Sequence, residues 1–237
     1  MNFAMAAAEE VLMRCISKAA MDSMVAHIVG TPGGLDARII IPHPAFDDAM
    51  GEEVVQLTDS PRNAIPFAYA AFLARNLGLS IDEEIVQIAR VGRTKLSTWP
   101  RFLYQPKFGG VVRPGQTYVL ADDVVSTAGT CAALRSYIAR NGGHVIFATA
   151  LANSIGKNQG FSVTKQIVNQ LAVDFGPELN QFWTETIGHD IHCLTEAEAA
   201  FLLRELSNVE QAKGCPRGPE LLQRLRGKLD AAAAKEG

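Results

Sequence analysis

The spacing of apolar residues along this chain changes several times, and each change marks an element. Residues 4–29 repeat at helical spacing, with Ala6, Val11, Leu12, Ile16, Ala19 and Met24 as candidate core contacts. The run Gly30-Thr31-Pro32-Gly33-Gly34 breaks that pattern. Arg38 to Pro42 reads as a short strand, followed by a loop through Met50, and Val54 to Leu57 is strand-like. Asn63 to Leu77 is helical, with Pro66 tolerable in the first turn and Gly78 as the stop. Glu84 to Val91, Thr117 to Ala121 and His144 to Leu151 read as further strands, with a helix over Cys131 to Arg140. Strands alternating with helices predict an α/β fold, a parallel sheet flanked by helices on both faces. Beyond residue 153 the pattern turns mainly helical. Thr195 and Glu198 have capping-box spacing before the apolar run Ala199 to Leu206. Gly214, Pro216, Gly218 and Pro219 end that helix, and Glu220 to Lys235 reads as a last, charged, Ala-rich one.

Candidate chemistry concentrates in residues 118–130. The apolar run Tyr118 to Ala121 ends in two adjacent carboxylates, Asp122 and Asp123. Val124 and Val125 lead to a small-residue turn, Ser126 to Thr130, which opens the next helix. The first amides of a helix lack intrahelical partners and carry the positive end of its dipole. Ser126, Thr127 and Thr130 add hydroxyl donors, and Ala128 and Gly129 let an anion approach the backbone, which makes a phosphate cradle. The acids cannot serve a phosphate; they suit hydroxyl groups or a hard cation such as Mg²⁺. Phosphate beside a polyol with Mg²⁺ describes a ribose 5-phosphate. In a parallel sheet ligands bind beyond the carboxyl ends of the strands, where this segment falls. Adjacent strand residues point to opposite faces, so the two acids converge only if the strand ends at Ala121.

This segment resembles the signature of type I phosphoribosyltransferases: hydrophobic residues, two acids, two hydrophobic residues, then a Ser/Thr/Gly loop ending in Thr. The resemblance implies a phosphoribosyltransferase-like core over 50–152, an N-terminal helix and hood segment over 1–49, and a helical C-terminal extension packed on the core over 153–237. It implies transfer of the 5-phosphoribosyl group from 5-phosphoribosyl 1-pyrophosphate to a nitrogen nucleophile, a nucleobase, with release of pyrophosphate. Asp122 and Asp123 take the catalytic positions that hold the ribose hydroxyls, and Ser126, Thr127, Ala128, Gly129 and Thr130 those that wrap the 5-phosphate. Ala128 stands where the family often has Gly; if that position needs a positive φ, Ala costs about 1 kcal/mol or more there. Ser60, Arg62 and Asn63 fall in the pyrophosphate-binding loop, where a guanidinium offers paired donors. The segment between Val91 and Thr117 lacks periodicity and is long for a compact domain. It carries Arg93, Lys95, Arg101 and Lys107, and the family places here a flexible lid that excludes water. Mg²⁺ arrives on the substrate, with no direct protein ligand. A homodimer is implied as well.

The resemblance does not identify the acceptor. His43, Phe46, Phe161 and Trp183 offer flat faces to a base. The chain further resembles an uncharacterised phosphoribosyltransferase-like group in Arg62 to Pro66, Gln105 to Phe108, Gly188-His189-Asp190 and Leu194-Thr195-Glu196. A non-catalytic regulator that senses a sugar pyrophosphate or nucleotide through the same phosphate site is the alternative function.

Composition narrows the classes. A net charge of −3 leaves no electrostatic footprint for nucleic acid, although Trp99, Phe102, Tyr104 and Phe108 among the cations of 92–116 would suit a single strand. The four cysteines are scattered without a Cys-x-x-Cys pair, which fits a reducing, cytoplasmic setting. Glu9, Glu10 and Arg14 interrupt the N-terminal apolar stretch, against a signal peptide, and no run is long enough to span a bilayer. His189, His192 and Cys193 lie close in sequence, but no fourth metal ligand accompanies them.

Overall fold

The computed structural model describes residues 10–42, 65–89, 98–125, 128–153, 162–210 and 218–236. In chain order its elements are α1 (Lys18–Gly30), β1 (Arg38–Ile40), α2 (Ile65–Leu77), β2 (Ser80–Ile81), β3 (Ile85–Ala89), α3 (Thr98–Leu103), β4 (Lys107–Gly110), β5 (Thr117–Val125), α4 (Gly129–Arg140), β6 (His144–Asn153), α5 (Lys165–Phe175), α6 (Leu179–Ile187), α7 (Glu196–Glu210) and α8 (Pro219–Glu236). They fall into two compact units. One comprises Met1–Arg90, Lys107–Val125 and Tyr137–Ser154; the other comprises Val91–Pro106, Ser126–Ser136 and Ile155–Gly237.

The first unit is built on a four-stranded, all-parallel sheet in the order β2-β1-β5-β6. The expected α/β architecture is therefore present. Ile39, Val119 and Ala121 on one face join Ala68, Tyr69 and Leu73 of α2 in a single apolar cluster. The opposite face receives the end of α4. A Cβ at Gly143 would lie only 2.7, 2.9 and 3.0 Å from Ile138 Cγ2, Val112 Cγ1 and Tyr118 Cε2, so the chain must be Gly there to bring β6 in beneath Ile138. Helix α2 keeps Pro66 in its first turn, where no intrahelical N–H is needed. It stops at Gly78 (φ +69°), with the Leu79 amide donating to Ala74 O at 3.1 Å, a Schellman closure.

Two expectations change here. The helical repeat over 4–29 is not one helix among the described residues: 10–15 is helical, and Ser17 then caps α1 by accepting from the Ala20 amide at 3.2 Å. A serine hydroxyl competes with the helical ladder and restarts it. The strand at Glu84 is β3, but it stays out of the main sheet and pairs antiparallel with β4. The two-residue β2 takes the edge position instead. The strand expected over Val54 to Leu57 lies outside the described residues.

Arg38 enters β1 carrying an ionic knot. Its guanidinium lies 3.2 Å from Asp82 and 3.7 Å from Glu84, and Glu84 also holds Arg113 at 2.8 Å. Asp82 Oδ1 accepts from the Glu84 and Ile85 amides, which turns the chain from β2 into β3. The Arg113 guanidinium holds the Glu84 carboxyl below its ordinary value. Arg38 pairs in register with Tyr118, at the amino end of the sheet, so this cluster organises the end opposite the acids of β5.

The second unit is helical. Phe102, Leu171, Leu179, Phe182, Trp183, Leu202, Leu225 and Leu229 form its core, with α3 packed on α8. Trp183 is fully buried, edge-on to Phe102 at 5.1 Å. The capping box is as expected: the Glu198 amide donates to Thr195 Oγ1 at 3.2 Å, and the Thr195 amide donates to Glu198 Oε2 at 3.0 Å. The last helix begins with Pro219 directly after Gly218 (φ +63°).

Candidate functional site

β5 does not end at Ala121. Its partner β6 runs on to Asn153, and the ladder continues through Asp122↔Ala150, Val124↔Ala152 and Val125↔Asn153. Both acids therefore sit inside a paired strand, and the pleat sends their side chains to opposite faces. The expected convergence at a strand end is not what the structure shows.

Each acid makes the same local bond. Asp122 Oδ1 accepts from the Asp123 amide at 2.9 Å, and Asp123 Oδ1 accepts from the Val124 amide at 2.7 Å. Their surroundings differ. Asp123 continues the row Val119–Ala121, which packs on α2. On that face Thr149, level with Ala121, has its Oγ1 2.7 Å from the Tyr69 phenol. Burial raises the Tyr69 pKa and its bond to Thr149 opposes the shift, so the phenol is neutral through the physiological range. Asp122 continues the row Tyr118–Leu120 on the α4 face and is 8% exposed, whereas Asp123 is half-buried.

After β5 the chain passes Ser126 and Thr127, which lie outside the described residues. Ala128 has φ +56°, the one non-glycine described residue with positive φ. This is the position where the sequence departs from Gly, and it does take the left-handed conformation. α4 starts at the next residue, and the Ala132 amide donates to Ala128 O at 3.0 Å. Ala128 brings no side-chain oxygen, so it cannot cap the helix as Ser or Asp would. Ala128 and Gly129 are buried and Thr130 is half-buried.

The remaining candidates are dispersed. Ser60, Arg62, Asn63, Arg93 and Lys95 lie outside the described residues, as do His43, Phe46 and Phe161. The segment 92–116 contains two ordered elements: Arg101 is half-buried in α3, and Lys107 is exposed at the start of β4, paired with Ala89. Trp99 and Phe102 pack with Phe201 and Trp183 in the helical core and are not held out for stacking on a nucleic acid. Trp183 is likewise too buried to stack on an acceptor base.

The geometry at His189 to Cys193 ties Asn180, Asp190 and His192 into a packed turn. Asn180 of α6 donates to Asp190 Oδ2 at 2.9 Å and accepts from the Ile191 amide at 2.9 Å. Asp190 Oδ1 takes the His192 amide at 2.7 Å and the His192 ring at 2.6 Å. Partial burial works against the charged Asp190, but these bonds outweigh it and hold its pKa below the ordinary value. Among the described residues no three His, Cys, Asp or Glu side chains gather as a metal site. Sequence reasoning missed Tyr69 and Thr149. Only their Tyr and Thr identities hinted at a role, because the contact joins residues 80 positions apart.

No family model matches the chain. Over 149 residues it is 36% identical to a protein named TraN from Escherichia coli, covering 63% of this chain and 33% of that protein. Over 77 residues it is 38% identical to an uncharacterized protein of Haemophilus influenzae, covering 32% of this chain and 17% of that one. The chain thus matches a third or less of the length of these relatives. Among solved structures it is similar to Leishmania donovani UMP synthase at 17% identity and a TM-score of 0.29, over 79% of this chain and 33% of that one, a likeness too low to carry an argument. Among the described residues no helix is long and apolar enough to cross a membrane.

Proposed function

We propose that this protein binds 5-phosphoribosyl 1-pyrophosphate as its Mg²⁺ complex and transfers the phosphoribosyl group to a nitrogen nucleophile, a nucleobase, releasing pyrophosphate. The observation that carries the reading is Ala128. A residue with a Cβ in the left-handed region costs about 1–2 kcal/mol, and such strain is kept where the turn has a task. Here it occurs in the small-residue turn that follows the acid pair and opens a helix, the segment that resembles the phosphoribosyltransferase signature. Backbone amides of 128–130 and the hydroxyls of Ser126, Thr127 and Thr130 are the donors a 5-phosphate needs. A carboxylate from the acid pair accepts from sugar hydroxyls. The oxygen donors of the pair also suit a hard cation brought in on the pyrophosphate, which would neutralise the leaving group. Cations from Arg62, Arg93 and Lys95 would complete that neutralisation.

Calorimetric titration of the full chain with 5-phosphoribosyl 1-pyrophosphate and Mg²⁺ tests the reading. Binding that disappears in Asp122→Asn/Asp123→Asn, with folding retained, supports it. Pyrophosphate release with a panel of free bases then separates a transferase from a regulator that only senses the ligand. No binding by folded wild type removes the transferase and puts it behind a regulator that senses a nucleotide.

A further inference from the structure

Between Cys131 and Ser136, α4 buries Cys131, Ala132, Ala133, Leu134 and Ser136, mostly small side chains. Small side chains pack closely but form shallow ridges, which set the axial position of a helix only weakly. Arg135 supplies what they lack. Its guanidinium donates from Nη1 to Ser162 Oγ at 2.6 Å and from Nη2 to the His192 carbonyl. Those two acceptors are held together by bonds of their own. The Val163 amide donates to Leu194 O at 3.2 Å, which ties the segment of Ser162 to the turn of His192. Within that turn the Cys193 amide donates to Asp190 O at 2.9 Å, and Asp190 Oδ1 takes both the amide and the ring of His192. The seat is a pair of fixed oxygens, which suits a planar fork of donors better than a point charge. The first part of α4, through Ser136, belongs to the helical unit together with Ser162 and His192. Arg135 lies two turns beyond Ala128, about 10 Å along the axis, so the helix start follows where Arg135 is docked. A strained residue such as Ala128 persists only where its surroundings over-determine it. The Ala132 amide, donating to Ala128 O at 3.0 Å, closes that turn onto the helix.

Building on the phosphoribosyl reading, we propose that Arg135 is the positioning residue of the phosphate turn: docked on Ser162 and the His192 carbonyl, it fixes α4 so that the turn at 128–130 is held ready for the 5-phosphate. The C-terminal helical segment is then part of the binding machinery and not an appendage to it. Arg135 acts through the helix and not on the ligand, so its loss must fall on the 5-phosphate alone.

The test uses the full chain as wild type, Arg135→Ala, Arg135→Lys and Ser162→Ala, with thermal unfolding of each. Calorimetry follows two probes: ribose 5-phosphate, which carries the 5-phosphate alone, and pyrophosphate with Mg²⁺, which lacks it. Hydrogen exchange at the Ala132 amide reports the turn without any ligand. Arg135→Ala is expected to weaken ribose 5-phosphate by about tenfold and to leave pyrophosphate within about twofold of wild type, because only the phosphate turn shifts. Exchange at Ala132 should quicken by about tenfold, while the Phe182 amide inside α6 exchanges as in wild type. Arg135→Lys keeps the charge without the fork and should fall between wild type and Arg135→Ala. Ser162→Ala leaves the carbonyl bond in place and should cost about threefold in ribose 5-phosphate affinity. Equal losses for the two probes would mark a general loss of structure and overturn the proposal. So would unchanged exchange at Ala132, or ribose 5-phosphate bound by Arg135→Ala as tightly as by wild type. If Arg135→Ala does not fold, Ser162→Ala decides, and wild-type affinity and exchange in that variant overturn the anchor. Wild type that binds neither ribose 5-phosphate nor 5-phosphoribosyl 1-pyrophosphate brings down the phosphoribosyl reading, and exchange at Ala132 still decides whether Arg135 holds the turn.

Discussion

The turn at 188–198 and the segment 122–130 are both rich in polar residues, yet they use them differently. In the first, side chains bond reciprocally within the turn: Asp190 with His192 and Asn180, Thr195 with Glu198. These bonds fix a connection between α6 and α7, which accounts for Asn180, Asp190, His192, Thr195 and Glu198 without a ligand. In the second, a Cβ-bearing residue is held at φ +56° and the acids are split between two faces of a strand. The left-handed Ala128 costs free energy locally, which points to a task outside the fold. A polar cluster that satisfies itself is structural; one that carries strain is the better place to look for a site.

The largest expected effect comes from the packing beneath the first region. Trp183 is fully buried against Phe102 and sits edge-on to His189 at 6.3 Å. Trp183→Ala should destabilise the protein by about 3–5 kcal/mol, the usual range for removing a large core aromatic. Its indole N–H has no acceptor among the described residues, so Trp183→Phe forfeits packing but no hydrogen bond. Chemical denaturation should therefore show a clearly smaller loss for Phe than for Ala. Equal losses would mean that the indole nitrogen is satisfied after all.

Next in size is the capping box. Thr195→Ala removes the acceptor of the Glu198 amide, at a cost of about 0.5–2 kcal/mol. The change should leave the proposed sugar-pyrophosphate binding untouched, since Thr195 and Glu198 bond to each other. Ala128→Gly runs the other way. Glycine relieves the left-handed strain but adds freedom to the unfolded chain, so the net gain is about 1 kcal/mol or less. A Tm that rises by up to about 4 °C would confirm strain at that position. A fall would show that Ala128 is comfortable, and the contrast between the two regions would lose its main support.

What was legible in the sequence follows from locality. The capping box, the Pro66 start and Gly78 stop of α2, and the cores of β5 and β6 depend on neighbours a few residues away, and all stand as read. The misplaced features depend on distant partners. β5 extends past Ala121 only because β6 supplies paired backbone as far as Asn153. β3 leaves the sheet because β4 offers it an antiparallel partner. The six-residue α3 gave no periodic signal because it is shorter than two turns, and Trp99 and Phe102 declare themselves only through contacts with α6 and α7. The same limit hid the two-faced placement of the acids, which no local pattern encodes.

The smallest effect is electrostatic and belongs to the self-satisfied turn. Burial disfavours the charged Asp190, but the His192 amide, Asn180 and the His192 ring together hold its pKa below the ordinary carboxylate value. A group depressed in the folded state contributes its stability in full above its unfolded pKa, about 3.9 for Asp. The contribution is lost as pH falls through the folded value. Asp190→Asn removes the titration while keeping an acceptor oxygen for the amide. Wild type should therefore exceed the variant in stability by a constant margin from neutral pH down to about 4, and the margin should shrink in more acid solution. Half-exposure keeps it modest, because solvent screens the interaction. Thermal unfolding of both proteins across that range measures the margin directly, and one that grows on acidification would reverse the sign assigned to Asp190.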